Sequence, residues 1–264
     1  MGRIVDPDTS ARPVFVLSDR HDHVNVPWHS HRRVQLIHVS TGVLTVRTRS
    51  ARFVVPPQRA VWIGGGTEHR IEARSPFWLT TCYVEPDLVN VAAVPRVVAV
   101  DRLVDELLIE ASKLGNTYPK EGPEARLVCV LLDRLQELQS SDIALPEPGD
   151  ERLRRITDRL LIDPTQDAPL EVLAAAASLS ERTAARLFLR ETGMTFGRWR
   201  QQMRLQRSLE CLATGQSVTQ AAFTVGYADV SSFIAAFKTL FGETPARILE
   251  RQRPYGSSHQ RPVS

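Results

Sequence analysis

Three histidines, His29, His31 and His69, are the residues of this 264-residue chain best suited to hold a ligand. His29 and His31 stand with Gln35 in HSHRRVQ, and the three share a parity, so on a regular strand their side chains would point the same way. His69 closes the later segment GGGTEH. Three imidazoles brought to one point can bind zinc, iron, nickel or manganese. The same side chains can instead line a pocket through hydrogen bonds, with His29, His31, Gln35 and His69 facing a small-molecule effector. The pocket is the expected arrangement and a divalent metal on His29, His31 and His69 is the alternative; no cofactor is required. His21, His23 and His38 are expected to be solvated or packed, since the first two lie in the entry segment and His38 has the opposite parity.

A second set of residues suits a polyanion. Arginine supplies 30 of the 33 basic residues, and a guanidinium can bind phosphate or guanine with two parallel hydrogen bonds. Residues 1–150 hold 17 Lys and Arg against 19 Asp and Glu, a net charge of −2, whereas residues 151–264 hold 16 against 11, a net of +5. The C-terminal half is therefore the better partner for nucleic acid. Within it, Ser180 can cap a helix and so place Arg182, Thr183 and Arg186 on its exposed early turns. Asp229 can cap another, which exposes Ser231 and Ser232, with Lys238 two turns further on.

The elements that must carry these side chains change character along the chain. Up to about residue 95, VQLIHV, LTVRT, RFVV, RAVWI and FWLTTCYV are short β-rich runs separated by turn residues, the pattern of an all-β barrel or sandwich. Residues 96–139 carry apolar stripes of helical period, Leu103 to Leu114 and Leu127 to Leu138, and are expected to form an antiparallel helix pair that covers the barrel and dimerises two chains. Residues 140–149 (SSDIALPEPG) show no period and are expected to be a linker. Residues 150–252 are expected to be all helical, with caps at Asp150, Ser180, Thr195, Ser217 and Asp229 and stops at Gly193, Gly215 and Gly226, and residues 253–264 to be a disordered tail.

Two segments of the helical half share one design. LAAAASLSERTAARLF and TQAAFTVGYADVSSFIAAF each join a short Ala-rich helix to a capped second helix through a tight turn, which gives helix-turn-helix units at about 170–191 and 217–241. In such a unit the second helix enters the major groove, its first residues reaching base edges. AAFTVGYADVSSFIAAFKTLFGETPARI also resembles the signature of the AraC/XylS family of transcription regulators, and residues 150–252 fit it throughout, with Ala184 where the family usually has leucine. The resemblance implies a regulator of transcription that binds double-stranded operator DNA, with Arg186 the leading base contact and Lys238, from the family's Phe-Lys pair, structural or facing phosphate.

HSHRRVQLIHVSTG and GGGTEH together resemble the two-motif cupin pattern, in which histidines and an acid from one strand pair meet a third histidine inside a small barrel. Gln35 stands in place of the acid and Gly64 in place of a proline. The fold class is therefore α+β and multidomain, a cupin-like effector barrel (1–95) with a helix pair, followed by an all-α domain with two helix-turn-helix units. The alternative function is a metal-dependent cupin enzyme with a helical appendage, for which Gln35 offers no catalytic base. RNA polymerase is a partner only if the regulator activates. Three dispersed cysteines, Cys82, Cys129 and Cys211, an N-terminus without an apolar run and the absence of a membrane-length segment point to a cytoplasmic protein with no membrane partner, and the apolar helix stripes to a homodimer.

Overall fold

The computed structural model of the protein describes residues 6–90, 94–141 and 143–251. Its first half is built of β1 (Val14–His21), β2 (Val24–His29), β3 (Val34–Thr41), β4 (Leu44–Thr48), β5 (Ala51–Val55), β6 (Arg59–Ile63), β7 (His69–Ala73), β8 (Phe77–Val84), β9 (Arg96–Ala99), β10 (Ser140–Ser141) and β11 (Leu145–Pro146). They form two antiparallel sheets, ordered β1-β8-β3-β6-β9-β10 and β11-β5-β4-β7-β2. Gly42 turns the chain between β3 and β4 at φ +80°, and a Cβ there would stand 2.4 Å from the Pro76 carbonyl oxygen, so only glycine fits. Apolar side chains such as Ile37, Val46, Phe53 and Val61 fill the space between the sheets.

Two expectations are corrected here. Residues 96–99 are not the start of the helix pair but the strand β9, which pairs with β6. Val97 and Val98 are both fully buried, Val97 toward the barrel interior and Val98 toward the helices, and a residue pair buried on opposite faces requires a strand. The helix pair itself is α1 (Arg102–Ser112) and α2 (Pro123–Gln136), which bury Val104, Leu108, Leu131 and Leu135 against Leu36 and Trp62 of the first sheet and leave Leu103 and Val130 exposed.

The second correction concerns 140–149, expected as a linker. Apart from Asp142, which lies outside the described residues, this stretch is fastened on both sides. β10 pairs with β9, β11 pairs with β5, and Ile143 and Leu145 are buried. Its carbonyls are met by the helix α6 (Phe196–Ala213): Trp199 Nε1 donates to Pro146 O at 2.8 Å, Gln202 Nε2 to Ala144 O at 2.7 Å and Gln206 Nε2 to Ile143 O. Positions 199, 202 and 206 fall on one helix face, so one helix satisfies successive carbonyls of an extended strap. The tail 253–264, expected to be disordered, lies outside the described residues.

The remaining helices are α3 (Glu151–Ile162), α4 (Leu170–Ala176), α5 (Glu181–Thr192), α7 (Val218–Thr224), α8 (Val230–Phe241) and α9 (Pro245–Arg251). Asp150, Ser180, Thr195, Ser217 and Asp229 each accept a first-turn N–H as caps. The pairs α4–α5 and α7–α8 turn in the same way. Leu179 N donates to Ala174 O at 2.9 Å and Tyr227 N to Ala222 O at 3.0 Å, with the residue before each in the left-handed region, Ser178 at φ +59° and Gly226 at φ +84°. A side chain at that φ is strained, so Ser178→Gly is expected to stabilise the protein by about 0.5–1 kcal/mol in urea unfolding. Gly226 allows no such exchange, because a Cβ would stand 3.0 Å from Thr165 Cα.

Candidate nucleic-acid interface and histidine cluster

The outward face of the helical half is set by what each second helix buries. On α5, Ala184, Leu187 and Phe188 are buried, which turns Arg182, Ala185, Arg186 and Leu189 to the surface. Elsewhere the arginines are mostly engaged, Arg190 with Glu191, Arg152 with Asp150 and Arg207 with Glu210. Arg182 and Arg186 have no ion-pair or hydrogen-bond partner for their guanidinium groups among the described residues, so both donor forks are free. Thr183 is half-buried, and its hydroxyl lies 2.9 Å from Ser180 Oγ, which ties it into the cap.

On α8, Phe233, Phe237 and Phe241 are core, while Ser231, Ser232, Ala235 and Lys238 are exposed. Asp229 Oδ1 accepts from Ser232 N at 2.7 Å, and this backbone bond, with the help of the Ser232 side chain, holds the Asp229 carboxyl below its ordinary range. α6 joins the two units; its 18 residues span about 27 Å, somewhat less than the roughly 34 Å rise of one DNA turn. No helix among the described residues is long and apolar enough to cross a membrane.

In the barrel the histidines meet. His29 and His69 are paired across β2 and β7, their ring centroids 4.2 Å apart, next to a bulge between Val26 and His29. His31 lies in the turn into β3, so a bend, not a common strand parity, brings it in. The candidate ligand atoms of the three rings lie within 4.8 Å of one another. Each Nδ1 faces a backbone carbonyl, His29 that of Pro27 at 2.9 Å, His31 that of Arg33 at 2.7 Å and His69 that of Thr67 at 2.9 Å. Carbonyls only accept, so each neutral ring carries its proton on Nδ1 and presents an Nε2 lone pair. Gln35 Oε1 lies 3.1 Å from Nε2 of both His31 and His69, while its Nε2 donates to Thr81 Oγ1 at 2.9 Å and Tyr83 OH at 3.0 Å. An amide oxygen and imidazole lone pairs converge here with no hydrogen between them. This donor set, three nitrogens and one oxygen, fits a divalent cation.

Burial pushes the His69 imidazole down to about 4, with the neighbouring His29 and His31 lowering it further and the bond to Thr67 opposing the shift. Burial likewise pushes the Tyr83 hydroxyl up to about 12. An unfolded histidine takes up a proton near pH 6.5, which folded, metal-free His69 refuses. Its contribution is therefore present above pH 6.5 and lost as the pH falls toward 4, up to about 3 kcal/mol, which chemical denaturation across that range measures.

Comparison with known proteins agrees with this geometry. A helix-turn-helix domain family matches residues 173–251 and the AraC-like ligand binding domain family matches residues 13–116. The HTH-type transcriptional regulator NimR of Escherichia coli K12 is 32% identical over 248 residues, covering 93% of this chain and 91% of that protein. The chain belongs to the AraC family of transcription regulators. RipA of Corynebacterium diphtheriae, also an HTH-type transcriptional regulator, is 31% identical over 135 residues, which cover 51% of this chain and 37% of RipA. Among solved structures, ToxT from Vibrio cholerae aligns over 92% of this chain and all of its own, with 11% identity and a TM-score of 0.42.

In this AraC-family regulator, Arg182, Arg186, Ser231, Ser232 and Lys238 all lie exposed on the second helices of the two units, and Thr183 is drawn into a cap. Ala184, in place of the usual leucine, is fully buried. His29, His31, Gln35 and His69 form one cluster. Sequence reading missed Thr81 and Tyr83, which fix Gln35 from β8; both have the inward parity of Leu79 and were legible only once β8 was known to lie beside β3. His38, fully buried, bridges Arg59 O at 3.0 Å and Asp105 Oδ1 at 2.9 Å, and so ties β3 to α1.

Proposed function

We propose that this AraC-family regulator reads its operator chiefly with α5, through Arg182 and Arg186, and that α8 positions the DNA backbone with Ser231, Ser232 and Lys238. The observation that carries this reading is the pair of guanidinium groups left without partners on a helix whose other face is core. Short hydroxyls on α8 suit phosphate and carry little base information. Two chains pair through α1 and α2, whose exposed Leu103 and Val130 are the apolar residues not used in covering the barrel. The protein acts in the cytoplasm, and it meets RNA polymerase at promoters it activates. Hydroxyl-radical footprinting on an operator tests the DNA contacts: protection on one face in two successive major grooves, about 10 base pairs apart, is expected, and protection confined to one groove would overturn a two-unit reading.

The effector site of the barrel is the histidine cluster. His29, His31 and His69 would hold a divalent ion through Nε2, with Gln35 Oε1 as the fourth ligand in place of the cupin acid. When bound, the ion supplies a Lewis-acidic centre to which a small effector can attach. The chain's own part is orientation: the three backbone carbonyls hold the rings in one tautomer, and Thr81 and Tyr83 keep the amide oxygen of Gln35 turned inward. Zinc is expected to raise the melting temperature of the purified protein, and His31→Ala to abolish that rise. No shift with zinc, nickel or manganese would leave the cluster as a hydrogen-bonded pocket.

A further inference from the structure

Every atom that the histidine cluster offers to an ion is uncharged. The three rings carry their protons on Nδ1, tied to the carbonyls of Pro27, Arg33 and Thr67, and the fourth donor is the amide oxygen of Gln35. Among the described residues no carboxylate or thiolate joins the group. Tyr83 packs edge-on to His31, ring centroids 5.4 Å apart, and burial keeps its hydroxyl protonated by pushing it up to about 12.

The acids on the adjoining segments are engaged elsewhere. Glu68, next to His69 in the chain, holds Arg49 through both carboxylate oxygens at 2.8 Å, and Glu72 pairs with Arg70. Asp8 accepts from the backbone N–H groups of Arg32 at 2.8 Å and Arg33 at 3.2 Å, while Glu85 holds the guanidinium groups of the same two residues. A divalent ion on the histidines therefore keeps both its positive charges, with no free carboxylate among these groups to oppose them. A bound cation is the largest local charge of its site, and a charge drawn out of water is stable only when it is paired. Access exists on one side: His31, Gln35 and His69 are buried, but His29 is half-buried and Ser30 beside it is exposed.

From this we infer that the ligand taken by the histidine cluster is a small anion, a carboxylate or comparable oxyanion, which enters past His29 and completes the coordination of the ion; this rests on the reading of the cluster as a divalent-ion site. A neutral molecule at the same place leaves the double charge unpaired. Gln35 sets the selectivity. An acid at that position would supply the negative charge from the chain itself, and an incoming anion would then gain much less.

The test uses the full-length protein loaded with Co²⁺, whose visible absorption reports what is coordinated, and two probes of one shape, acetate and acetamide. Acetate at millimolar concentration is expected to change the spectrum, and acetamide to bind roughly tenfold more weakly or less. Gln35→Glu places a carboxylate among the ligands, with the hydroxyls of Thr81 and Tyr83 positioned to donate to it. This variant is expected to keep Co²⁺ and to weaken acetate by roughly tenfold or more. The comparison of acetate with acetamide on the unaltered chain stands whether or not the variant folds. Equal binding of the two probes, acetate binding that Gln35→Glu leaves unchanged, or no response to acetate while the Co²⁺ spectrum is present would each overturn the anion and leave the metal site standing. A protein that gains neither a visible Co²⁺ band nor a higher melting temperature with the ion holds none at its histidines, which refutes the metal site and the anion with it.

Discussion

Arg186→Ala is expected to weaken binding to the operator by about tenfold to a hundredfold, the equivalent of about 1–3 kcal/mol, while binding to random duplex falls much less. The asymmetry follows from what the residue leaves unused. Its guanidinium has no acid partner on α5 or on any neighbouring helix among the described residues, so its removal exposes no buried charge and creates no cavity. The loss is then confined to the DNA complex, and thermal unfolding of the free protein should be unchanged within about 0.5 kcal/mol. Fluorescence anisotropy on the two duplexes separates the cases. Equal losses on both would make Arg186 a phosphate contact.

Glu210→Ala is expected to act in the opposite way, through stability. Burial alone would push the Glu210 carboxyl up, but the guanidinium groups of Arg52 and Arg207 more than offset this and hold it below its ordinary range. Truncation leaves two arginines and the Thr45 hydroxyl facing an empty site between the halves, at a cost of about 3 kcal/mol. Arg59 makes the next contact along the same interface, its guanidinium donating to Phe241 O at the end of α8. With Glu210 removed, urea unfolding followed by tryptophan fluorescence should lose its single transition, since Trp62 lies in the barrel and Trp199 in the helical domain. The double variant Arg52→Ala/Glu210→Ala should cost less than the sum of the two single ones, because the second change removes a charge already stranded by the first. The native carboxylate contribution should fade as the pH falls below about 4.5, since the unfolded Glu210 takes up its proton before the folded one does.

The helical half was legible because its rules are local. A capping Ser, Thr or Asp opens α3, α5, α6, α7 and α8, and a glycine lies at or just past the end of α5, α6, α7 and α8. The barrel was half legible. β3, β4, β5, β6 and β8 carry dense runs of Val, Ile and aromatics, whereas β2 (VNVPWH) and β7 (HRIEA) are short and carry weaker patterns, and they become strands by pairing, β2 with β7 and β7 also with β4. The strap at 143–146 was unreadable from its own composition, since what orders it is spent by α6: Trp199, Gln202 and Gln206 donate to its carbonyls. Two buried glutamines in the middle of a helix were the available signal, because an amide enters a core only where a partner waits for it. The histidine cluster was found for an incomplete reason: shared parity named His29, His31 and Gln35, but the β2–β7 pairing and the turn at His31 bring them together with His69.

The most direct measurement of the central claim, that α5 and α8 read one DNA site together, is in vitro selection of duplexes from a random pool by the purified full-length protein. The selected sequences are expected to share one strong box, read by α5, with a guanine that Arg186→Ala no longer distinguishes, and a much weaker preference about 10 base pairs away where α8 meets the backbone. A pool that emerges without a common motif, or whose guanine is still selected by Arg186→Ala, would contradict this reading of operator DNA.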